Sequence, residues 1–121
     1  MGLNIISIDS PVAPSSFTVN VPTSDGVKKE FVLTLQNSWT GSLKALLLQN
    51  GRVRIVGAIT APSTFANIIA NLPTEVKPTV SRKIIGLNEN TPIAIEIDTV
   101  PTIKCPTTVT GSIEIDAEYE L

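Results

Sequence analysis

Ser42-Leu43-Lys44-Ala45-Leu46-Leu47-Leu48-Gln49-Asn50-Gly51-Arg52-Val53-Arg54-Ile55-Val56-Gly57-Ala58-Ile59 carries the clearest structural signal in the 121-residue chain. Asn-Gly is the dipeptide that best tolerates positive φ at both central residues of a type I′ turn, so Asn50-Gly51 predicts a hairpin with a strand on each side. The left strand, Leu43 to Gln49, is mostly apolar. On the right, alternation places Val53 and Ile55 inward and Arg52 and Arg54 outward, until Gly57 marks a bulge or bend. A half-buried antiparallel hairpin of this kind needs further strands to cover its apolar face.

Working outward, the rest of the chain supplies them. Ser24-Asp25-Gly26 reads as a turn between Phe17 to Val21 and the longer run Val27 to Gln36, in which Phe31, Leu33 and Leu35 share one face and Glu30, Val32, Thr34 and Gln36 the other. Thr79 to Ile85 reads as a strand closed by the loop Gly86 to Pro92. Ile93 to Asp98 and Ile113 to Tyr119 both alternate isoleucine with carboxylates, which predicts isoleucine inside and acid outside. The Pro- and Thr-rich segment Thr99 to Gly111 reads as a connection with one short edge-type strand near Ile103. Only Ser63 to Leu72 departs from this grammar. Phe65, Ile68, Ile69 and Leu72 fall at i, i+3, i+4 and i+7, predicting one short helix or irregular turn with Ser63 as N-cap, ended before Pro73.

The composition agrees. Isoleucine, valine and threonine number 15, 11 and 14, together 40 of 121 residues, which is strand-forming chemistry. Short strands at spacings of roughly ten residues predict an all-β domain, an antiparallel β-barrel or jelly-roll sandwich of about 7–9 short strands with at most one short helix. Residues 1–14, with Leu3 to Ile8 as a first strand and Asp9 to Pro14 as a stiff lead-in, read as a lead-in strand and linker. Residues 15–121 read as one domain.

The same arithmetic excludes most chemistry. With no histidine, neither histidine-assisted serine or cysteine catalysis nor a His-Cys zinc site can be built. Cys105 is the only cysteine and reads as a small buried hydrophobe from a reducing compartment. Nine basic against eleven acidic residues leave no positive field for a nucleic acid. No apolar run reaches the ~20 residues of a membrane-spanning helix, and Met1 to Pro14 lacks the pattern of a signal peptide. Glu96, Asp98, Glu114, Asp116 and Glu118 sit on outward faces without an apolar pocket to raise one pKa, so a glycosidase pair is not expected. The chain reads as a non-enzyme with no cofactor and no metal.

Binding chemistry remains. Trp39, the only tryptophan, lies in the polar turn Gln36 to Ser42, either as an exposed plate for a sugar ring or as a plug at the end of the barrel. Arg52 and Arg54 either donate to sugar hydroxyls or phosphate, or pair with the acidic strands within the subunit or across an interface. Lys28 and Glu30 on the preceding strand, and Asp25 and Asn37 in turns, are of the type that orient saccharides.

Asn37-Ser38-Trp39, the run Asn50-Gly51-Arg52-Val53-Arg54-Ile55-Val56-Gly57, Ile69-Ala70-Asn71-Leu72-Pro73 and Lys77-Pro78, in this order, resemble the C-terminal domains of bacteriophage tail fibre and baseplate proteins. Closest in size are the head domains of lactococcal phage receptor-binding proteins, over about residues 30–121. The resemblance implies a trimeric β-barrel head on a virion tail tip, made in the bacterial cytoplasm, joined to other baseplate proteins and binding host wall saccharide or phosphosaccharide near protomer junctions. It implies Trp39 as the aromatic platform, Arg52 as a basic partner and Glu30 with Lys28 as acidic and basic neighbours; Arg54 and Asn37 complete the candidate set. The family's histidine has no match, and Glu75-Val76-Lys77 replaces its Gly-Tyr-Arg. In such a trimer, basic Arg52 and Arg54 would meet acidic Glu96 and Asp116 across the three-fold interface. The alternatives are a structural baseplate sandwich without ligand and a surface adhesin module.

Overall fold

The structure, a computed structural model, describes residues 26–121. The strands expected at Leu3 to Ile8 and Phe17 to Val21, the lead-in 1–14, and Ser24 and Asp25 of the expected turn lie outside the described residues. Within them the chain is all-β. Eight strands run in order: β1 Val27–Val32, β2 Thr40–Leu48, β3 Arg52–Thr60, β4 Ile68–Asn71, β5 Arg82–Asn88, β6 Thr91–Ile97, β7 Thr102–Lys104 and β8 Ser112–Glu120. All pairs are antiparallel, in one sheet of order β1-β2-β3-β8-β5-β6-β7-β4. That sheet curls like a barrel until its two edges approach. One bridge, Leu35 to Ala70, joins the chain beyond β1 to β4.

The inward faces are those the alternation assigns. Leu43, Ala45, Val53, Ile55, Ile95, Ile97, Ile113 and Ile115 are buried in one core. Burying each aliphatic side chain is worth roughly 1.5–3 kcal/mol, which drives the curl. Tyr119 closes one part of this core by donating its hydroxyl to the Val76 carbonyl at 2.6 Å. Burial pushes the Tyr119 phenol upward, so the hydroxyl remains a donor at any ordinary pH.

Several local expectations are corrected. The β2–β3 hairpin forms where expected, with Leu47 opposite Val53, but only Gly51 has positive φ. Gly51 N–H donates to the Leu48 carbonyl, so the connection is a type I turn ending in a left-handed glycine rather than a type I′ turn. Paired positive φ values occur instead at Asn37-Ser38 (56° and 68°) and Glu89-Asn90 (49° and 72°). The second pair replaces the expected Gly86 to Pro92 loop, because β5 starts at Arg82 rather than Thr79 and runs to Asn88. Glu89 is held there by accepting from Ser112 N–H at 3.2 Å.

No helix forms at Ser63 to Leu72. Ile68–Asn71 is a strand paired with β7, and a register shift between Ile68 and Ala70 turns the adjacent Ile69 and Ala70 both inward. That bulge breaks the period of two and imitates helical spacing. The only helical turn among the described residues is the 3-10 segment Thr74–Val76. The strand at Ile103 is present, but it lies between β6 and β4 rather than at an edge.

Asp98 also departs from its expected outward position. It is buried and ties down the turn to β7, accepting from Val100 N–H at 3.1 Å, from Thr102 N–H and Thr102 Oγ1 at 2.7 Å each, and from Lys104 Nζ at 3.1 Å. Burial raises the Asp98 carboxyl, but the Thr102, Lys104 and Val100 bonds together outweigh it and bring the pKa to about 2. A depressed folded-state value stabilises the fold above the unfolded value of 3.8 and loses that contribution as pH falls toward 2. Urea unfolding is expected to show about 2 kcal/mol of stability lost over this window beyond any loss in Asp98→Asn. Parallel pH profiles of the two proteins would refute the assignment.

Candidate functional site

The two edges of the sheet leave a seam, and that seam is the candidate site. β1 continues extended through Leu33 to Gln36, where Gln36 N–H donates to the Ile69 carbonyl at 2.7 Å beside the Leu35–Ala70 bridge. From this stitched end the edges diverge. Farther along, Lys29 on β1 reaches across to Glu75 on the 3-10 turn. Between stitch and ion pair lies a groove of about 550 Å³, with Glu30, Thr34, Gln36 and Asn71 as its polar lining and Phe31, Leu72 and Pro73 among its apolar lining. The edge position of β1 leaves backbone N–H and C=O groups facing this groove without a strand partner among the described residues.

Local sequence explains the shape. Pro73 cannot donate to a ladder, so β4 stops short of it and the chain turns away into Thr74–Val76. Asn37, in the tight turn at the stitched end, donates its side-chain amide to the Ile68 carbonyl at 3.0 Å. The amide therefore fastens one edge to the other. Glu30 pairs with Lys44 on β2 at 2.8 Å.

The six residues proposed from sequence thus separate. Glu30 lines the seam and Asn37 braces its end. Lys28 is exposed at the β-bulge where the β1–β2 register shifts between Val27 and Lys29, and it is not among the lining residues. Trp39 is the plug rather than the exposed plate: only 3% of it is accessible, its indole N–H donates to the Ala66 carbonyl at 2.8 Å, and its ring meets Phe65 edge-on at 6.1 Å. The apolar plate is worth more inside the barrel end than in water, and the 61–67 segment provides both a wall and an acceptor.

Arg52 and Arg54 lie on β3, away from the seam, and pair within the chain. Arg52 Nε and Nη1 reach Glu118 and Glu120 on β8 at 3.0 and 3.1 Å, while Arg54 makes a two-point contact with Asp116 at 2.7 and 2.8 Å. This is the pairing with the acidic strands within one subunit, made between neighbouring strands. β3 and β8 pair in register, which puts their outward side chains side by side. The Arg54 guanidinium holds the Asp116 carboxyl below its usual range.

Sequence reasoning missed Thr34, Gln36 and Asn71, which are ordinary polar residues until the sheet closes. It also missed an outward apolar face on β3, β8 and β5, where Val56, Ala58, Ile85 and Leu87 flank Glu114 and Asp116 around a groove of about 580 Å³. Ile85 and Leu87 are 58% and 41% exposed there. Cys105 is buried with its thiol directed to the Thr107 carbonyl, and burial pushes its pKa up, away from thiolate chemistry. No group of three or more potential metal ligands occurs among the described residues. No family model and no curated protein matches this chain.

Proposed function

We propose that this chain is a non-catalytic, saccharide-binding head of a bacteriophage tail tip, acting as a trimer in host attachment. The observation that carries the saccharide reading is the seam: an open groove in which amide, hydroxyl and edge-backbone groups face the apolar lining of Phe31, Leu72 and Pro73. Sugars present hydroxyls in pairs and apolar C–H faces, so neutral amides beside an apolar surface suit them. The phage assignment rests on the motifs from Asn37 to Pro78. Three copies of an open groove on one tip would multiply weak contacts into firm adhesion.

The outward face at Ile85 and Leu87 is the proposed contact between copies, since exposed apolar patches of this kind mark interaction surfaces. The same face also favours the second reading, a structural baseplate domain that assembles without binding sugar. The two separate on one experiment. A Gln36→Ala, Asn71→Ala double variant removes groove amides that make no side-chain hydrogen bond among the described residues, so its fold should be intact. Retention on purified Gram-positive wall polysaccharides is expected to fall about tenfold, equivalent to ~1.4 kcal/mol. Equal retention by the folded variant would place this chain in the structural class.

A further inference from the structure

The seam contains charged side chains, yet they are neutralised inside the chain. Lys29 is engaged by Glu75 and also lies over the Phe31 ring, 5.1 Å from its centroid. Glu30 is engaged by Lys44. Glu30 is thus the one charged residue of the groove lining, and Lys44 beside it offsets that charge. Thr34, Gln36 and Asn71, by contrast, make no side-chain hydrogen bond among the described residues. The groups open to a ligand are thus uncharged hydroxyl and amide.

From this distribution we infer that the seam selects a neutral oligosaccharide and discriminates against phosphorylated or uronic saccharides. The inference rests on the saccharide reading above. A phosphate is held by charge-assisted bonds from cations free to turn toward it. Here no cation is among the lining residues, the nearby Lys29 and Lys44 already face carboxylates, and an arriving anion would meet Glu30 in the lining itself. Lys28 and Lys77, the sequence neighbours without an ion pair among the described residues, do not line the groove. A neutral sugar loses nothing in such a field. Its vicinal hydroxyls both donate and accept, as do the amides of Gln36 and Asn71.

The test uses the full chain on an array of matched neutral, 6-phosphorylated and uronic oligosaccharides. Neutral members are expected to be retained, with less than about twofold change between roughly 50 mM and 500 mM NaCl, because no net charge is being screened. Glu75→Gln releases Lys29, and retention of the phosphorylated members relative to the neutral ones is expected to rise roughly fivefold at low salt and to collapse at high salt. Preference of the unaltered chain for phosphorylated or uronic members overturns the inference while leaving the saccharide reading intact. So does an unchanged preference in a folded Glu75→Gln protein. Absence of retention on every member overturns the saccharide reading, and this inference with it.

Discussion

Replacing Trp39 by alanine is expected to lower the unfolding free energy by about 3–5 kcal/mol, the range for truncating a buried indole in a core that relaxes only partly. Three losses combine. The cavity opens among core residues, the edge-on contact with Phe65 disappears, and the Ala66 carbonyl loses the donor that reaches it at 2.8 Å. For a domain of this size the corresponding fall in melting temperature is about 10–20 °C. Thermal unfolding followed by circular dichroism is the measurement. A variant melting within about 2 °C of the parent would mean that the indole is not the plug described. Trp39→Phe keeps a smaller plate but loses the N–H and part of the ring, so its cost should be smaller than that of alanine, about 2 kcal/mol. Loss of host adhesion in Trp39→Ala would consequently report unfolding rather than a missing sugar contact.

Gly57→Ala is the second large effect. Gly57 sits in the middle of β3 with φ of +153°, and a Cβ built there meets the Ser42 carbonyl oxygen and comes within 2.9 Å of Leu43 Cα. On the facing strand Gly41, at φ +111°, is placed reciprocally, its Cβ position against the Ala58 carbonyl oxygen and 2.9 Å from Ile59 Cα. Both obstacles are backbone, which cannot swing aside as a side chain would. The ladder runs through Gly57 without a slip, Leu43 opposite it on one side and Ile115 on the other. It is therefore a close-approach bend rather than a bulge, and glycines of this type let a sheet coil tightly enough to curl. One methyl there is expected to cost about 3 kcal/mol from backbone strain and overpacking together. Urea unfolding checks this; a loss below about 1 kcal/mol would show that β2 and β3 can separate at no great cost.

These two residues illustrate what was legible before folding. Alternation at Val53 and Ile55, at Ile95 and Ile97 and at Ile113 and Ile115 assigned the inward faces, because a strand's side chains alternate regardless of which partner it finds. Gly57 stood out as an interruption in such a run, though the reason for it, a neighbouring backbone, belongs to another strand. The misreading at Ser63 to Leu72 has the same root. Ile69 and Ala70 are both buried only because β7 and the bulge put them so, and a single sequence contains no sign of the partner that makes a bulge. Strict alternation predicts an outward Asp98; beyond the end of β6 alternation no longer applies, and Thr102 and Lys104 draw the carboxylate inward.

Among the candidate residues, type was readable and environment was not. That Trp39 would be either plate or plug, and Arg52 and Arg54 either ligand donors or partners of the acidic strand, followed from their chemistry. Which alternative holds depends on the register of β3 against β8 and on where the 61–67 segment passes, both set by distant pairings. Composition and period alone establish an all-β, histidine-free chain with one face of its strands destined for a core. The order β1-β2-β3-β8-β5-β6-β7-β4, the near meeting of β1 with β4, and hence the seam between them arise only when residues far apart in sequence are brought together. Local propensity acts over a few residues, whereas closure of a curled sheet is a property of all its strands at once.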